Sequence, residues 1–195
     1  MKISLPRHKP IRDAAACAYD LVVEQARQPV FFAGYGVPDT LDGRFELICL
    51  HAFFYLYRLK AERPQAKRLG QCFFDTMFAD LDRALREMGT GDLSVGTQVK
   101  RMARGLYGRI RAYQDGVESD DRALRAALER NLYGTLRESA PWVGAMALYV
   151  RAAVAELARQ PAADLLCGRV RFPRAGAEVP GAAAGVAIVA AAGAR

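Results

Sequence analysis

The sequence predicts an all-α protein, a single-domain bundle of about six helices ending in a flexible Ala/Gly-rich tail. Three observations carry that expectation. Apolar side chains recur at the three- and four-residue spacing of a helix through most of the chain, as in Phe74, Met77, Phe78, Leu81, Leu85 and Met88. Alternation with a period of two, the mark of a half-buried strand, is confined to GRVRFP at residues 168–173. A chain of 195 residues, 52% hydrophobic and 25% charged, has an ordinary soluble composition and enough length to bury one core.

Residues 1–11 read as a basic, proline-interrupted arm. The arm lacks the apolar core of a secretory signal and is too short for a transit peptide. A first helix is predicted over 12–28, where Ala15, Ala18, Leu21, Val22 and Ala26 share a face. The loop FFAGYGVPDTLDG follows; its glycines and Pro38 break regular structure, and Asp39, Thr40 or Asp42 offers a cap for a second helix over 41–62. The third helix is predicted over 65–88 and ends at GTGD. Asp92 or Ser94 then caps a fourth, reaching residue 115. Ser119, followed by Asp120 and Asp121, opens a fifth helix that reaches Tyr133. Asn131 falls on the apolar stripe of that helix, where an amide needs a partner to brace the following turn. The sixth starts near Pro141 and carries Val143, Met146, Val150, Ala153, Val154 and Leu157, and PAADLLCG suits one short extra helix. Residues 174–195 are Ala, Gly and Val without a pattern that buries a face. The helical domain is therefore 12–173, between the arm and the tail.

Groups that could perform chemistry are sparse. There are two histidines, and His8 lies in the arm. Cys49 and His51 are two residues apart, so they point about 200° apart on a helix and make no dyad. No phosphate-binding loop, HExxH helix or nucleophile elbow is present. Asp75 and Asp82 share a face, but Asp82 with Arg86 and Arg83 with Glu87 at i+4 describe a solvated, salt-bridged surface. The four cysteines form no CxxC pair, and those within apolar patterns read as buried free thiols of a reducing compartment. No catalytic residue, metal or cofactor is predicted. No stretch reaches the roughly 18 apolar residues of a spanning helix, so any membrane contact is expected to be peripheral.

Two surfaces stand out. The net charge of +7 favours an anionic partner, whether nucleic acid, the ribosome or an acidic membrane surface. Leu93 to Gln114 contains no acid, and Lys100, Arg104 and Arg111 lie within about 40° on a helical wheel, opposite Met102, Leu106, Ile110 and Tyr113. That line is the candidate anion-docking face. It lacks the interleaved aromatics of a groove reader, which argues against sequence-specific nucleic-acid binding. The second helix, FELICLHAFFYLYRL at 45–59, is apolar nearly all round. Its polar groups, Arg44, His51, Arg58 and Glu62, fall on one line with Tyr55 beside them. Arg44, His51, Tyr55 and Arg58, with Phe31 and Phe32 of the preceding loop, are candidates for a surface that receives a client or small partner. The rival account puts His51 inside, bonded to another helix. Binding to a ribosome or RNA without a client, and catalysis on a lipid or isoprenoid, are the alternative functions; no DDxxD motif supports the last.

The succession LDGRFELICLHAFFYLYRL, QCFFDTMFADLDRALREMGTGDLSVGTQVKRMARGLYGRIRAY, LERNLYG and ALYVRAAVAEL resembles the ubiquinol–cytochrome c chaperone family over about residues 12–160. The resemblance implies a non-enzymatic helical chaperone for assembly of the cytochrome bc1 complex, respiratory complex III, with newly made cytochrome b as client. It further implies action near the ribosomal exit with a small helper protein. The mitochondrial relatives act at the inner membrane; the short N-terminus suits a bacterial form, cytoplasmic and peripheral at the cytoplasmic face of the inner membrane. The family supplies no catalytic residue, and nothing in it matches the tail.

Overall fold

The computed structural model describes residues 9–176 except 63, 65, 90 and 137–139, with the backbone alone at 9, 92, 93, 140 and 141. The predicted tail beyond residue 176 and the arm before Lys9, with His8, lie outside the described residues. Among the described residues there are eight helices and no strand: α1 (Lys9–Ala26), α2 (Pro29–Ala33), α3 (Leu41–Lys60), α4 (Lys67–Glu87), α5 (Asp92–Glu118), α6 (Asp121–Asn131), α7 (Ala140–Arg159) and α8 (Ala162–Leu166).

The apolar run of 45–59 becomes α3, the axis of the fold. Thr40 starts it by accepting the Gly43 amide proton at 3.1 Å, and Asp42 in the first turn with Arg58 and Lys60 in the last complement its dipole. From Phe45 to Tyr55 every residue but Ile48 is buried, as expected of a helix that is apolar nearly all round. Helices α1, α4, α5 and α7 pack against it, and the outer helices neighbour one another in the order α1, α4, α5, α6, α7. No helix among the described residues is long and apolar enough to cross a membrane.

The ring closes between α7 and α1 through α2 and residues 167–176. α2 was expected as loop. Pro29 at its start presets the backbone, and Phe31 anchors it in the core with no exposed surface. Gly36 then turns the chain at φ 63°, and a Cβ there would sit 2.3 Å from the Trp142 ring, so α7 packs directly on this backbone. GRVRFP does not become a strand. Its polar backbone is met by a side chain instead: the Gln160 amide accepts from the Arg171 N–H at 3.0 Å and donates to the Arg171 carbonyl at 2.6 Å.

Several local expectations are corrected. α6 is capped by Asp120, which accepts from the Ala123 amide at 2.8 Å, not by Ser119. The N-cap of α5 is Gly91, so the helix has no side-chain cap; Ser94 instead donates back to the Gly91 carbonyl at 2.7 Å. Arg83 pairs with Asp80 rather than Glu87, while Asp82 holds Arg86 at 2.7 Å as predicted. Asn131 is half-buried and donates to the Ala127 carbonyl at 2.9 Å, bonding the turn before it rather than the one after. Cys49 alone is buried; Cys72 is intermediate, and Cys17 and Cys167 are exposed. Apolar spacing places a thiol on a helix face but does not say whether a neighbour covers that face.

Candidate functional site

The polar line of α3 faces inward. His51 is fully buried, its Nδ1–H donating to the Leu47 carbonyl at 2.8 Å and its Nε2 accepting from the Tyr149 hydroxyl of α7 at 2.9 Å. The Leu47 carbonyl only accepts, which settles the tautomer. Gln25 of α1 donates to the Tyr149 oxygen at 3.1 Å and to the Pro173 carbonyl at 3.3 Å, so one polar knot ties α1, α3, α7 and the closing segment. Phe31, Phe54 and Phe172 pack edge-to-face on the imidazole with ring centroids 5.0–5.5 Å away. Burial in that aromatic box pushes the His51 pKa from 6.5 down to about 4, and the ring is neutral. One turn further, Tyr55 is buried and donates to the Leu165 carbonyl of α8 at 2.8 Å. Arg58 donates to the Leu157 and Gln160 carbonyls at 3.1 and 3.3 Å, capping the end of α7, and holds Glu62 at 2.6 Å.

Of the six candidate contact residues, then, His51, Tyr55 and Phe31 have no exposed surface and Arg58 is half-buried against α7. They form an internal seam, because the closing segment covers the side of α3 that the wheel leaves polar. Arg44 and Phe32 reach solvent: Arg44 pairs with Asp39 at 2.6 Å and lies 5.9 Å over the Phe32 ring.

The candidate docking line on α5 is at the surface. Lys100, Arg104 and Arg111 are exposed, with Asp115 3.8 Å from Arg111, while Leu106 and Tyr113 bury the opposite side. The wheel missed an aromatic on this line. Tyr107, three residues after Arg104 and four before Arg111, is 56% exposed, with its ring 5.3 Å from Phe74 of α4. The cationic line therefore has an aromatic centre, a signal present in the spacing once aromatics are placed on the same wheel as charges.

A second missed feature is the pair between Glu46 of α3 and Arg109 of α5. Glu46 stands opposite the polar line and is 7% exposed; the Arg109 guanidinium grips both its oxygens and lies 5.7 Å over the Phe45 ring. Gly105 makes room for it, since a Cβ there would fall 2.6 Å from the Arg109 Nη1. Burial raises the Glu46 carboxyl while Arg109 lowers it, and burial prevails. Cys49 and Tyr113, fully buried nearby, are both pushed well up by the same desolvation. The Tyr113 hydroxyl finds no hydrogen-bond partner among the described residues. No group of three or more His, Cys, Asp or Glu side chains there could hold a metal ion.

The family model of the ubiquinol–cytochrome c chaperones matches residues 33–172, from the end of α2 through the closing segment. The chain belongs to the ubiquinol–cytochrome c chaperone family. It is 31% identical over 156 residues to ubiquinol–cytochrome c reductase complex assembly factor 1 of Xenopus laevis, covering 80% of this chain and 78% of that protein. To the Mus musculus assembly factor 1 it is 29% identical over 163 residues, and there it spans 83% of itself but 55% of the relative, about half. The crystal structure of the Cbp3 homolog from Brucella abortus superposes with a TM-score of 0.77 at 35% identity, covering 89% of this chain and 97% of that one. The family expectation and the all-helical single domain are thus both met.

Proposed function

We propose that this protein is a non-enzymatic assembly factor of the ubiquinol–cytochrome c reductase complex, binding newly made cytochrome b and holding it until assembly. The observation that carries this reading is the extent of the family match: residues 33–172 take in all of α3 to α8, and the relatives that share it are named as assembly factors of that complex. The exposed Leu41 and Met88, which line one groove between α3 and α4, support a surface that meets apolar partners. Arg44 with Phe32, the accessible end of the α3 line, is the part of the original candidate set offered for contact with the client or a small helper protein. Deleting the gene tests the reading. The expected outcome is loss of cytochrome b and of bc1 activity with the cytochrome b messenger intact; normal bc1 levels would sink it.

The α5 line supports attachment to an anionic body, read here as an acidic membrane face, in bacteria the cytoplasmic face of the inner membrane, or the ribosome near its exit. Reversing Lys100, Arg104 and Arg111 together should weaken co-sedimentation with acidic vesicles or ribosomes. Stability should change little, since exposed substitutions usually shift it by about 0.5 kcal/mol or less each. Attachment should also fall as salt rises, because exposed charges are screened. The centrally placed Tyr107 favours a second reading, a ribosome- or RNA-associated protein without a client. The deletion experiment separates the two, since that reading leaves bc1 assembly intact.

A further inference from the structure

A groove of about 640 Å³ opens between the first half of α3, the C-terminal half of α4, the middle of α5 and the end of α6. Its volume is that of a small-molecule site, which spans roughly 300–1,000 Å³. Ile48, Leu81, Leu85 and Met102 give it an apolar lining, and the exposed Leu41 and Met88 continue that lining to the surface. Five arginines and three carboxylates also line it, so its polar part is cationic on balance. Two of the carboxylates are engaged within the protein, Glu46 by Arg109 and Asp80 by Tyr19 and Arg83; Asp42 is the third. Arg109 and Arg44 are likewise held, by Glu46 and Asp39. Arg27, just after α1, and Arg101 and Arg130, on α5 and α6, are exposed and have no ion-pair partner among the described residues.

We propose that this groove binds a single-chain anionic amphiphile, an acyl or alkyl chain carrying a phosphate or carboxylate head, with the head on Arg101 and Arg130 and the chain along Ile48, Leu81, Leu85 and Met102. Charge complementarity selects this occupant. An uncharged chain leaves the exposed guanidinium groups of the groove without a counter-ion, and an apolar helix laid across it does the same. A free anion satisfies the arginines and leaves the apolar lining wet. Only a molecule with both parts meets both halves of the site. The proposal rests on the groove's own chemistry and does not depend on the assembly-factor reading.

The test is calorimetric titration of the whole protein with dodecyl phosphate below its micelle concentration, alongside dodecanol and inorganic phosphate. Saturable one-to-one binding of dodecyl phosphate, at least roughly tenfold tighter than either half-molecule, is expected. Replacing Arg101 and Arg130 together by serine should weaken it about tenfold or more, and Met88→Ser should weaken it through the chain without altering any charge. Both changes are at exposed positions, so the melting temperature serves as the check that the fold is kept. Dodecyl phosphate presented in neutral vesicles distinguishes a membrane-held source from the free amphiphile: extraction into a soluble one-to-one complex marks a carrier of single molecules, and retention of the protein on the vesicle marks a lipid head group read in place. Equal binding of inorganic phosphate and dodecyl phosphate, equal binding of dodecanol, or affinity unchanged in the Arg101→Ser, Arg130→Ser double variant would each overturn the proposal, as would no binding at all.

Discussion

Replacing His51 by alanine should lower the stability of the domain by roughly 3–5 kcal/mol, enough to drop its melting temperature by about 6–20 °C. Two effects add. The substitution removes the acceptor of the Tyr149 hydroxyl and the donor to Leu47, both within the core, and it opens a cavity among Phe31, Phe54 and Phe172. His51 also makes stability depend on pH. Its pKa is about 4 in the folded protein and 6.5 without burial, so between these values the unfolded chain binds more protons than the native one. The contribution of the neutral ring is therefore full above pH 6.5 and lost as pH falls toward 4, a difference of about 3 kcal/mol. Thermal melts of the natural protein and of His51→Gln over that range check this. The variant should be less stable at pH 7 but flatter across the window. Parallel curves would show that the ring is not a buried neutral group, and a melting temperature unmoved in His51→Ala would return the residue to a surface role.

The second large effect is expected at the Glu46–Arg109 pair. Arg109→Met should cost about 2–4 kcal/mol at neutral pH, because it strands the carboxylate of Glu46, whose side chain is 9% exposed. The lower part of that range applies because Arg109 itself keeps 24% of its surface in water. Adding Glu46→Leu should recover most of the loss. A buried pair that has lost its polar partners on both sides is often no less stable than the pair itself, and here burial already outweighs Arg109 in setting the Glu46 pKa. The sign follows: a carboxyl raised above its ordinary value favours the folded state below that value and loses this contribution as pH rises through the folded one. Arg109→Met should therefore be least damaging at low pH. A double variant as unstable as the single one would show that the arginine acts by packing on Phe45 rather than by charge.

Which parts of this were legible in the chain follows from how far each interaction reaches. Helix identity rests on periodicity within one segment, and α3, α4 and α7 begin and end within a few residues of where apolar spacing and Gly/Pro punctuation put them. α2 was lost because five residues carry too little periodicity, and what makes Pro29–Ala33 helical is the seat of Phe31 in a distant core. The α6 cap moved by one residue because adjacent Ser119 and Asp120 offer nearly equal acceptors and backbone geometry chooses between them, whereas the α5 N-cap is Gly91, which has no side chain to bond. The expectation of buried thiols holds for Cys49 and fails for the exposed Cys17 and Cys167, whichever lay in an apolar pattern, because an apolar face is buried only where another element arrives.

The sequence by itself determined the helical class, the family, the central apolar helix with its line of polar groups, and the cationic line of α5, since each is written in residue types at fixed spacing along one element. It could not decide on which side of α3 the protein ends and solvent begins. That choice belongs to Tyr149 and the Leu165 carbonyl, 98 and 110 positions from the His51 and Tyr55 side chains they meet, and to Phe172 and Gln25, which complete the enclosure. A helical wheel gives the direction of a side chain, and only packing gives what lies in that direction. The same holds for Glu46 and Arg109, 63 positions apart and unremarkable separately, whose charges acquire their cost and their pairing once α3 and α5 bring them together out of water.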